Sequence, residues 1–134
     1  MADADDGSIK DGACLLRRIR PDQIVDDENA NTRRPSSAAF RDPKMSVDAE
    51  PILSIGGLDW RFTLSGYEGY SLVNVDALHA RAKGLAVVHK PIKGDPTLAD
   101  NPAHVEVIGK KTQGIAKYLA ANATWVCLEP KQTS

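Results

Sequence analysis

The chain has 134 residues, 42% of them apolar and 26% charged, with a formal net charge of −1. That length and balance fit one folded unit and give no global electrostatic pull toward nucleic acid or an anionic membrane. No apolar run approaches the roughly 20 residues of a membrane-spanning helix, and the N-terminus opens on acid where a secretory leader carries basic residues, so a cytoplasmic protein is expected.

In chain order, residues 1–12 are rich in Asp, Ala and Gly, lack an apolar period, and read as a disordered tail. Residues 13–20 predict a first strand that Pro21 closes. Residues 21–35 read as a polar, acidic loop ending in two arginines and a proline. Residues 36–40 predict a short strand or turn. Met45-Ser46-Val47-Asp48 alternates apolar and polar, as a half-buried strand does. Over 50–66 a helical turn near Pro51 is interrupted at Gly56-Gly57, and Trp60, Phe62 and Leu64 alternate as buried anchors.

Residues 69–75 predict a strand, and Asp76 caps a short helix through Lys83, with Gly84 just past its end. A strand over 85–90 stops at Pro91, and 92–102 is rich in turn residues. With no helical pattern between them, the strands over 85–90 and 103–108 are expected to be antiparallel. Thr112 caps a helix over 113–122, and 124–128 predicts a last strand. Residues 129–134 form a polar tail. The expected fold is α+β: one domain over 13–128, with a mixed or mostly antiparallel sheet and two or three short helices.

Three constellations carry candidate chemistry. The strand-to-helix turn Gly109-Lys110-Lys111-Thr112 gathers backbone N–H groups and two ammonium groups, an arrangement suited to an anion. It lacks the upstream glycine of a nucleotide-binding loop, position 104 being His. The competing reading is a capped helix with two solvated lysines. His104 and Glu106, two apart on a strand, share a face and pair a base with a carboxylate, or simply line an exposed sheet face. Arg33, Arg34, Ser36 and Ser37 combine guanidiniums with hydroxyls for a phosphate or carboxylate, or pair with the acidic run before them. Arg18 is a further cation able to neutralise an anionic substrate.

His79, His89 and His104 lack metal-ligand spacing, so no metal is expected. No cofactor motif appears. Aromatics are not interleaved with basic residues, which argues against a nucleic-acid interface. Cys14 and Cys127, in apolar strand-like segments, read as buried free thiols, with a disulfide between terminal strands as the alternative.

Through residues 33–40, Met45-Ser46-Val47-Asp48, Asn101-Pro102-Ala103-His104 and Gly109-Lys110-Lys111-Thr112, the chain resembles a family of small bacterial proteins. The resemblance covers most of 14–126; it implies a bacterial cytosolic protein and assigns no activity. A looser likeness is to ADP-ribosyltransferase-type domains, which carry an Arg on an early strand, then a Ser, then a Glu on a later strand. Arg18, Ser36 or Ser37, and Glu106 follow that order, while the paired acidic pattern around the Glu is missing.

Three functions stay open on this reading. The first is a binding or accessory module for an anionic group: a nucleotide phosphate, a nucleic-acid backbone or an acidic partner. The second is a transferase or hydrolase at a phosphate or ribose centre, using His104 and Glu106 with Arg18 or Arg34. The third is a structural protein that oligomerises through a strand edge.

Overall fold

Alternating strands pair because each buries one face, and the pairing sets which side chains meet. The computed structural model describes residues 5–27, 29 and 32–130. The ends of both expected tails (1–4 and 131–134) and Glu28 of the acidic run lie outside the described residues. Among the described residues six strands form one sheet: β1 (Cys14–Ile19), β4 (Lys44–Ala49), β5 (Ser71–Asp76), β6 (Ala86–His89), β7 (His104–Ile108) and β8 (Thr124–Cys127). Their spatial order is β6-β7-β4-β1-β5-β8, and every pairing is antiparallel. β2 (Ile24–Asp27) and β3 (Thr32–Pro35) make a separate hairpin.

The α+β class holds, with four α-helices among the described residues rather than two or three: α1 (Glu50–Ile55), α2 (Trp60–Leu64), α3 (Ala77–Ala82) and α4 (Gln113–Asn122). Asp76 caps α3 by accepting from the Leu78 N–H at 2.8 Å, and Thr112 caps α4 by accepting from Ile115 at 3.2 Å.

The two faces of the sheet have different fates. Leu15 and Ile19 of β1, Met45 and Val47 of β4, and Val105 and Val107 of β7 pack with α3, α4 and the short 3₁₀ turn Ser37–Phe40 into the main core. Each such side chain, fully buried, contributes about 1.5–3 kcal/mol. The opposite face carries Leu16, Arg18, Ser46, Asp48, His104 and Glu106. There α1 and α2 cover only the apolar end, where Leu16, Leu53 and Leu72 form a smaller cluster.

Three segments depart from the sequence reading. Residues 21–35 are not a structureless loop: the hairpin register sets Asp26 opposite Arg33, and the Trp125 indole N–H donates to the Arg33 carbonyl at 3.0 Å. Trp60, Phe62 and Leu64, expected as alternating buried anchors, lie on a helix that Asp59 starts by accepting from the Arg61 N–H, and they are only partly buried. The N-terminal tail docks from residue 5: Ile9 is buried in the main core. Cys14 and Cys127 are free thiols on strands that β5 separates.

That docked segment also covers the edge of β6. The Asp6 N–H donates to the Val87 carbonyl at 2.8 Å, and the Asp5 carboxylate accepts from the Val87 N–H at 2.8 Å. Arg81 anchors the segment, with Nε 3.0 Å from Asp5 and Nη1 2.8 Å from Asp11. A strand edge so occupied cannot pair with another copy.

Partial burial works against the Asp5 carboxylate, but the Val87 N–H and the Arg81 guanidinium together hold it below its ordinary 3.8. The unfolded chain therefore takes up this proton first as pH falls. The stabilisation is complete above the ordinary value and is lost as pH drops through the lower folded one. Amide exchange should show Val87 protected at pH 7 and markedly less so near pH 3, and Arg81→Gln should reproduce the loss at pH 7. Unchanged protection in both cases would show that the segment is held by something else.

Candidate functional site

The cleft starts from β4. Its alternation sends Met45, Val47 and Ala49 into the core and Ser46 and Asp48 to the other face. Antiparallel pairing sets Ser46 against Glu106 and Asp48 against His104 on β7. On the other flank Asp48 pairs with Leu16 of β1, which places Arg18, two residues along, on the same face as Ser46. Arg18, Ser46, Asp48 and His104 thus line one cleft of about 290 Å³.

Its walls come from outside the sheet. Phe62, Thr63, Ser65 and Tyr67 stand on one side, from α2 and the turn after it; Ile92 and 98–101 stand on the other. The second wall is a loop tied off by reciprocal backbone bonds between Ile92 and Asn101, at 2.9 and 2.8 Å. Within it Asp95 accepts from the Thr97 and Leu98 N–H groups and Asp100 from Gly94.

Asp48 joins the two walls to the floor. It is 3% exposed; one oxygen accepts the Thr63 hydroxyl at 2.7 Å and the other accepts the Asn101 amide at 2.8 Å. Asn101 in turn accepts from the Ala103 N–H. Arg18 donates to the Thr63 carbonyl at 3.1 Å, and its guanidinium carbon lies 3.9 Å from the centroid of the Tyr67 ring. Among the described residues no carboxylate forms an ion pair with Arg18.

His104 Nδ1 lies 2.8 Å from the Lys90 carbonyl and Nε2 lies 3.2 Å from Ser46 Oγ. A carbonyl only accepts, so Nδ1 carries the proton; in the neutral ring Nε2 is then the acceptor of the Ser46 hydroxyl. Glu106 turns aside to Lys90 at 3.3 Å.

The basic turn is built differently from the anion cradle expected there. Lys111 is 4% exposed, and its ammonium donates to the carbonyls of Asp42 (2.6 Å), Val107 (2.8 Å) and Gly109 (3.2 Å). Burial pushes its pKa down to about 8; the Asp42 charge opposes that shift and the Arg17 charge adds to it. Gly109 donates to the Pro43 carbonyl and holds φ at +142°, where an added Cβ would sit 2.8 Å from Leu85. Thr112 is spent on its cap, and only Lys110 extends an ionised group outward. The turn is thus a staple between the start of β4 and the end of β7.

Arg33, Arg34, Ser36 and Ser37 do not join Arg18 and His104. They line a separate groove of about 600 Å³ beside α4 and Trp125. There Arg33 donates to the Glu129 carbonyl, Ser36 accepts from the Ala38 N–H and Ser37 accepts from Gln113. The serine that shares a face with Arg18 and Glu106 is Ser46. The sequence reading missed Ser46 and Asp48 as site residues, although the alternation of 45–48 already put them on one face.

Among the described residues no group of three His, Cys, Asp or Glu side chains is arranged to hold a metal ion, and no helix is long and apolar enough to cross a membrane. No family model, curated protein or solved structure matches the chain.

Because Asp48 holds both walls, Asp48→Ala leaves the buried Thr63 hydroxyl and the half-buried Asn101 amide without their acceptor. That should cost about 1–3 kcal/mol, read as a lower urea midpoint with an unchanged slope. It should also raise amide exchange in 98–103 above that in α4. An unchanged midpoint would show that the walls stand without Asp48.

Proposed function

We propose that the sheet-face cleft binds a small molecule with one anionic group and a short apolar body. Arg18 carries this reading: it is a half-buried guanidinium at a cleft, steadied by a ring and a carbonyl, and among the described residues no carboxylate answers its charge in ion-pair contact. An anion in the cleft would supply such a partner through charge-assisted hydrogen bonds. Asp48, an acid on the floor, has both oxygens committed to neutral donors.

Phe62, Tyr67 and Leu98 give the cleft an apolar side, and Leu98 is 52% exposed there. Ser46, Asn101 and His104 give it a polar floor. A volume near 290 Å³ suits a small molecule better than a polymer backbone or an acidic protein surface. The basic turn supports anion binding less well, because Lys111 already spends its three protons on carbonyls.

Calorimetric titration with phenyl phosphate and with benzoate tests the proposal. Arg18→Gln should weaken binding at least tenfold, about 1.4 kcal/mol, while Lys110→Ala and Arg34→Ala bind as the wild type does. Equal affinity in wild type and Arg18→Gln, or dependence on Lys110 or Arg34 instead, would overturn it.

A further inference from the structure

We propose, resting on that binding reading, that Ser46 is a nucleophile and His104 its general base in hydrolysis of a carboxylic ester whose acyl part bears the anionic group received by Arg18.

A serine hydroxyl attacks poorly unless a neighbouring base takes its proton. Here the base is already oriented. The Lys90 carbonyl at 2.8 Å keeps the proton on Nδ1 and turns the Nε2 lone pair toward Ser46 Oγ at 3.2 Å. The serine is held from the opposite side of the sheet. Arg17, whose side chain points to the core face, donates through Nη1 to the Ser46 carbonyl at 2.9 Å and through Nε to the Ala39 carbonyl at 3.1 Å. Ser46 and His104 both line the open cleft, so a bound molecule can reach the hydroxyl. Glu106 is engaged with Lys90 and does not compete for the hydroxyl proton.

The charge count selects the reaction. Phosphoryl transfer spreads negative charge over three oxygens and draws on metal ions or several cations. Among the described residues lining this cleft Arg18 alone brings a guanidinium, and the carboxylates of Asp48 and Asp100 line it too, so the cleft suits no more than a single carboxylate on an ester substrate.

In the first step the Ser46 Oγ–acyl carbon bond forms, and the ester C–O bond breaks. The hydroxyl proton passes to Nε2 and then to the departing alkoxide, which leaves as an alcohol. Water then adds to the acyl carbon and gives a proton to Nε2. The acyl–Oγ bond breaks, the carboxylic acid departs, and the proton returns to Ser46. The net change is ester plus water to acid plus alcohol.

Wild-type protein treated with an alkyl fluorophosphonate should gain one adduct by intact mass, mapped by peptide sequencing to Ser46. Turnover is read with 4-nitrophenyl acetate and with the mono-4-nitrophenyl ester of glutaric acid. Ser46→Ala should lose adduct and turnover, and His104→Gln should slow turnover at least 100-fold. Arg18→Gln should slow the glutarate ester at least tenfold more than it slows the acetate ester. The wild-type adduct needs no variant, so it decides the nucleophile even where a variant misfolds. No adduct, an adduct on another residue, or full turnover by Ser46→Ala overturns the nucleophile. Arg18-dependent binding of phenyl phosphate without an adduct overturns the nucleophile alone and leaves the binding site standing. An adduct at Ser46 with both esters equally affected by Arg18→Gln overturns the part given to Arg18.

Discussion

Core and cleft both follow from the register of β4 between β1 and β7. Side chains on a strand alternate, so a slip of one residue would expose Met45 and Val47 and push Ser46 and Asp48 into the core. An ionised carboxylate without partners there would cost several kcal/mol. In the observed register Asp48 meets Thr63 and Asn101, and Ser46 meets His104. One alternation therefore builds the core on one side and the cleft floor on the other. Arg17 reinforces it from the core side by tying the Ser46 backbone to the 3₁₀ turn at Ala39.

Cations close together in sequence or in the fold have separate fates here. Arg17 and Lys111 are taken into the protein, where backbone carbonyls answer their protons; burial lowers the pKa of both. Such cations brace the structure, because removing either would leave two or three wholly or partly buried carbonyls without their donor. Arg18, the very next residue on β1, emerges on the opposite face and leans on Tyr67. The difference follows from strand alternation and not from composition, and it decides which guanidinium faces the cleft. Net charge alone, at −1, conceals it.

Much of the fold was legible. The helix at 113–122 and both caps, Asp76 and Thr112, follow from local chemistry that tertiary contacts do not override. The antiparallel pairing of 85–90 with 103–108 follows from a connection with no helix in it. The hairpin at 24–35 was not legible, because its polar strands lack an apolar period and depend on Trp125, 92 residues away, for an anchor. The helix at 60–64 was missed because five residues are too few to separate a period of two from a helical turn, and the Asp59 cap decides it. At the site, Ser46 with Asp48 and His104 with Glu106 were each readable as pairs on one face. What no local pattern shows is that 46 and 104, 58 positions apart, face each other. Nor does it show that Lys111 turns inward, since that needs carbonyls converging from 42, 107 and 109.

The proton position on His104 is the sharpest check on a cleft that holds a base ready for Ser46. Two-bond nitrogen–proton NMR spectra of the imidazole, recorded at pH 8, distinguish the two neutral tautomers. Nδ1–H with an unprotonated Nε2 is expected, and the same tautomer should persist in Ser46→Ala, because the Lys90 carbonyl and not the serine selects it. A proton on Nε2, or rapid exchange between the two tautomers, would mean that the imidazole is not poised toward Ser46 and would contradict the arrangement at its centre.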